Sequence, residues 1–104
     1  MNMNRAQLEE IWEKVRAHLK KASAMIEIPA VQGEEGDPEN EISLEQFHSY
    51  FQEYELELAL DELEDLGELV HAPVDFWFEL AAAARTMELH SRLPFYDSQI
   101  RKYF

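Results

Sequence analysis

With 104 residues and 46% hydrophobic composition the chain has material for one domain with its own core; lacking cysteine, it has no disulfide framework, no thiolate zinc site and no thiol nucleophile. Its formal net charge of −13 is the opposite of what nucleic-acid phosphate or an anionic lipid surface attracts. All nine basic residues lie towards the ends, and residues 22–84 hold seventeen acids with no Lys or Arg. Such a field draws in basic surfaces and cations and speeds association with a basic partner at low salt. The plainer reading is that acidity serves solubility.

The polar N-terminus shows no leader pattern, and no apolar run approaches the roughly 20 residues of a membrane span. The longest, 76–84, contains Glu79. A cytoplasmic protein is therefore expected. The first predicted helix carries Leu8, Ile11, Trp12, Val15, Leu19, Ala22 and Ile26 as one apolar stripe at three- and four-residue spacing. Glu9, Glu13, Lys14, Arg16, Lys20 and Lys21 occupy the opposite face. Pro29 predicts its end. Residues 29–42, with two glycines, two prolines and five acids, predict an acidic loop.

Ser43 with Gln46 reads as a capping box opening a second helix. Its apolar positions are Leu44, Phe47 and Phe51, with Tyr50 beside them, continuing through Tyr54, Leu56, Leu60, Leu63, Leu66 and Val70. The phase drifts near 52–55, which predicts a kink or a break. Gly67 weakens its last turns, and Pro73 closes it. The third helix follows, with Asp75 as a candidate cap and Phe76, Leu80, Ala83, Ala84 and Met87 as its buried stripe. Leu93 and Pro94 predict its end, and the aromatic and basic tail reads as a final packed turn or short helix. No run alternates as a strand does. The expected fold is all-α: three long helices, the second kinked or split, plus a short C-terminal element, forming a single acidic domain over 1–104.

Several chemical constellations fall short. Residues 35–46 have the cadence of a calcium loop, but Gln46 stands where a bidentate Glu is needed. Two Glu-x-x-His pairs, Glu45/His48 and Glu68/His71, have the spacing of a di-iron bundle. With seventeen glutamates in the chain, such pairs arise by chance, and only Glu10 or Glu13 and Glu79 could complete the site. No serine sits in a nucleophile elbow, and three glycines do not make a phosphate-cradling loop. The sequence therefore nominates no catalytic residue, no cofactor and no metal site, and the protein is read as a non-enzyme.

The surface is more specific. Glu53, Glu57, Asp61, Glu64 and Glu68 recur at three- and four-residue steps, flanked by Glu55, Glu62 and Asp65. Like charges at that spacing cost a helix a few tenths of a kcal/mol per pair. A basic partner would offset that cost; simple solvation is the competing reading. Tyr50, Tyr54 and Trp77 are candidate aromatic anchors beside the acids, or else core residues.

Residues 51–66, with Phe51, Glu53, Tyr54, Glu55, Leu56, Ala59, Leu60, Leu63 and Leu66 in that order, resemble the Tyr-Glu-Leu-Ala-Leu helix of small bacterial immunity proteins. These are the Maf-type and contact-dependent growth inhibition immunity proteins. The segment from Pro73 through Phe76, Trp77 and Leu80 to Met87 and Leu89 is similar to their next helix. The resemblance covers 44–90, and the acidic loop 29–42 has no counterpart in it. It implies a cytosolic, non-enzymatic helical protein that binds and neutralises a cognate basic toxin domain, often a nuclease. On this reading Glu53, Glu57, Asp61, Glu64, Glu68, Tyr50 and Tyr54 bind the partner. The alternatives are another interaction or regulatory module, including a homodimer, and a metal-dependent helical-bundle enzyme.

Overall fold

The computed structural model describes residues 4–31 and 38–104; of 27–31 and 38–43 the helical backbone alone is described. Five α-helices follow in order: α1 (Arg5–Val31), α2 (Pro38–Gln52), α3 (Leu56–Val70), α4 (Val74–Thr86) and α5 (Leu93–Arg101). A 3-10 turn, His90–Arg92, leads into α5. No strand occurs among the described residues. The fold is thus all-α, with five α-helices among the described residues where the sequence predicts three long ones and a terminal piece.

The differences have local causes. α1 passes Pro29 and stops at Val31, because a proline in the last turn removes one hydrogen bond and leaves the rest of the helix intact. The predicted loop shrinks at both ends; its centre, 32–37, lies outside the described residues. Pro38 opens α2 at the position where a missing N–H costs nothing. Ser43 is therefore inside α2 and does not cap it. Asp75 lies in the first turn of α4 but makes no capping hydrogen bond; Pro73 holds the cap position in extended backbone. Pro94 begins α5 instead of ending the preceding helix, which has already closed at Thr86.

The expected break at 52–55 is present. Three helix ends close in the same way. A residue at the cap or just past it turns left-handed, at Tyr54, His71 and Glu88 with φ of 59°, 54° and 61°. The next amide donates five residues back: Glu55 to Tyr50, Ala72 to Gly67, and Leu89 to Ala84, at 2.9, 3.0 and 2.8 Å. This is the Schellman closure, which usually takes glycine at the left-handed position. Here a tyrosine, a histidine and a glutamate fill it.

α1 packs chiefly on α4, α2 on α3, and α5 on α4. The core combines Val15, Leu19, Ala22 and Ile26 of α1 with Leu60, Leu63 and Leu66 of α3 and Phe76, Leu80 and Ala84 of α4. Trp77 and Tyr96 are wholly buried beside them. Gly67 is a packing residue: a Cβ there would lie 2.8 Å from Phe76 Cζ and 3.1 Å from Trp77 Cη2. Two residues of the expected apolar stripes, Trp12 and Tyr54, are not in the core. Trp12 is 41% exposed.

Candidate partner-binding surface

The acidic stripe read from the sequence is real as geometry but unequal in environment. Glu57, Asp61, Glu64 and Glu68 share one side of α3, while Glu53 precedes them in the α2–α3 turn. Arg92, at the start of α5, reaches across to three of them. Its guanidinium meets Asp61 at 2.6 Å and Glu57 at 3.4 Å, and bonds Glu64. The Tyr96 hydroxyl donates to the same Glu64 carboxylate at 2.6 Å. The Glu64 side chain is only 20% exposed, against 45% for Asp61 and 61% for Glu57. Glu64 thus fastens α3 to α5, whereas Glu53, Glu57, Asp61 and Glu68 present carboxylate to solvent.

The protonation equilibria reflect this clamp. Burial alone would lower the Arg92 value, but the hydrogen bonds to Asp61 and Glu64 outweigh it and hold Arg92 firmly charged. Tyr96 is pushed well above the ordinary tyrosine range, first by burial and then by its bond to Glu64. Glu62 is raised above the ordinary glutamate range by burial, and further by the neighbouring Asp65 and Asp61.

The aromatic candidates separate. Trp77 is core, with Phe76, Phe95 and Tyr96 around it. Tyr50 is half-buried against the core. Tyr54 is exposed, and its hydroxyl donates to Glu13 at 3.0 Å and accepts from Arg16 at 2.9 Å. The Arg16 guanidinium lies 4.3 Å from the Phe51 ring centre and 4.4 Å from that of Tyr54, pinning the α2–α3 turn to α1. Trp12 meets the Tyr54 ring edge-on at 6.3 Å.

The histidines do not assemble a metal-binding face. His71 sits in the left-handed turn after α3, so Glu68 and His71 do not project together from one helix. Glu79 is paired across α4–α1 with His18 at 2.7 Å. Among the described residues no three His, Cys, Asp or Glu gather as a metal-ligand group. None of the described helices is long and apolar enough to cross a membrane. No family model, curated protein or solved structure matches this chain.

Sequence reasoning missed Arg92, which sets which acids are available, and Glu88. It placed Trp12 in the core stripe. The adjacency of Ile11 and Trp12 in that stripe was the available signal, since two neighbouring residues cannot face inward equally.

Proposed function

We propose that this protein is an immunity-type inhibitor that binds and neutralises a basic toxin domain, foremost a nuclease, through its acidic helical surface. The observation that carries the reading is the α3 stripe: Glu53, Glu57 and Glu68 remain exposed, and Asp61 is half-exposed, after Arg92 has drawn in Glu64. A nuclease is basic where it holds phosphate, and a rigid row of carboxylates can occupy that groove in place of the nucleic-acid backbone. The clamp serves this role, because fixing α3 against α5 lowers the ordering cost of binding. Tyr54, held by Glu13 and Arg16, is a rigid aromatic at the near end of the stripe. The resemblance of 44–90 to immunity proteins points to the same class of partner.

Co-expression with any basic toxin domain found encoded beside its gene tests the reading. Growth should be restored by the wild-type chain, and much less by the Glu53→Lys/Glu57→Lys/Glu68→Lys variant at equal expression. A toxic neighbour that the wild-type chain neither binds nor neutralises would remove the immunity reading.

A second reading rests on Leu58 and Leu69, both exposed on another side of α3. They would favour a homodimer, against which Glu62 and Asp65 between them repel a second copy. Sedimentation equilibrium at neutral pH separates the two readings.

A further inference from the structure

The seam of α1 runs Ile26, Ala22, Leu19, Val15 and Trp12 at alternating steps of four and three, and only Trp12 is uncovered. The reason is where the neighbouring helices stop. α4 runs antiparallel to α1 and ends at Thr86, and α3 begins only at Leu56. Beyond those ends the seam continues as an open groove of about 350 Å³. Its walls include Ile11, Trp12, Tyr54, Met87 and Leu89, and Glu57 and Glu88 also line it.

Two of the three left-handed residues, Tyr54 and Glu88, line this groove. Glycine would fill either position at lower backbone cost, so the side chains are what the positions retain. Tyr54 supplies a fixed ring. Glu88 supplies a carboxylate that makes no hydrogen bond or ion pair among the described residues. Glu53 and Glu55, on either side of Tyr54 in the turn, are likewise exposed and unpaired. Three of the cations nearby are engaged, Arg5 with Glu9, Arg16 with Glu13 and Tyr54, and Arg92 with Glu57, Asp61 and Glu64; Arg85, beside Thr86, is exposed and offsets one of the acids. The groove is therefore apolar at its base and carries surplus negative charge at its mouth.

We propose that this groove receives an apolar side chain presented between arginines or lysines by a segment of the basic partner. The inference rests on the reading that the partner is a basic protein, and it names the point of anchorage. The apolar group would complete the interrupted seam over Ile11, Met87 and Leu89, while its basic neighbours meet Glu53, Glu55 and Glu88.

The probe is a pentapeptide with one leucine between two pairs of arginines, titrated into nitrogen-15-labelled protein at low salt. An alanine analogue and an analogue with glutamates in place of the arginines serve as controls. The leucine peptide should shift the amide resonances of Trp12, Tyr54, Glu88 and Leu89. It should bind about tenfold more tightly than the alanine peptide, as burial of the extra methylenes requires. The glutamate peptide should not bind. Trp12→Ala and Glu88→Lys should each weaken the leucine peptide by about tenfold with helicity unchanged. Equal affinity for the leucine and alanine peptides, or wild-type affinity in both variants, would overturn the proposal. If the Glu53→Lys/Glu57→Lys/Glu68→Lys protein then bound both arginine peptides more weakly, the groove would fail and the acidic-surface reading would stand. If no arginine peptide bound anywhere, both would fail.

Discussion

Arg92 is the residue on which most depends. It lies among Glu57, Asp61 and Glu64, so replacing it with Met leaves three carboxylates facing one another. We expect Arg92→Met to lower stability by about 2 kcal/mol, read from urea midpoints. Glu62 carries the opposite sign. Its carboxyl is raised by burial and by Asp65 and Asp61, so between the ordinary glutamate value and the raised one it binds more protons folded than unfolded. Stability therefore falls as pH rises through that interval. Glu62→Gln should be more stable than wild type at neutral pH, and the difference should vanish in acid below the ordinary glutamate range. A variant equally stable at neutral pH would show that the repulsion is absent. Glu88→Gly relieves a left-handed glutamate, a gain of about 1 kcal/mol, partly offset by the freer unfolded chain. The thermal midpoint should rise slightly, at the expense of the groove's carboxylate. These pairings were not legible in the sequence. The spacing put Glu57, Asp61, Glu64 and Glu68 on one face, but nothing in it placed Arg92, twenty-eight residues beyond Glu64, among them.

At the scale of elements, local rules worked where local chemistry decides. The phase drift at 52–55 marked the break between α2 and α3, and the stripe of α1 from Val15 to Ile26 is buried as spaced. They misled where proline has two meanings. Pro29 and Pro94 both predict stops, but one sits in a last turn and the other in a first turn. The glycine rule also failed at the helix ends, since Tyr54, His71 and Glu88 take the left-handed position, while Gly67 serves packing. That packing is testable. Gly67→Ala should cost about 1–3 kcal/mol despite its better helix propensity, because the Phe76 and Trp77 rings must shift. A stabilised Gly67→Ala protein would mean that α3 and α4 pack less closely at that point.

The whole molecule is governed by charge. At −13 the folded state repels itself, and the nine cations cannot offset 22 acids. Stability should rise as the Debye length shortens from about 30 Å to about 8 Å between roughly 0.01 and 0.15 M salt. Binding to a basic partner should move the other way, weakening over the same range. The fold class, the helical character of both flanks of the acidic stripe and the exposure of most of its carboxylates could be read from composition and spacing. The open end of the α1 seam could not, because it depends on where α3 and α4 stop. The most direct test of the acidic-surface account is the association rate of a basic toxin domain that the chain neutralises, measured at low salt with wild type and with Glu53→Lys/Glu57→Lys/Glu68→Lys. The account predicts a rate at least about tenfold slower for the variant, converging towards wild type as salt is raised. Equal rates at low salt, with both proteins folded, would contradict it.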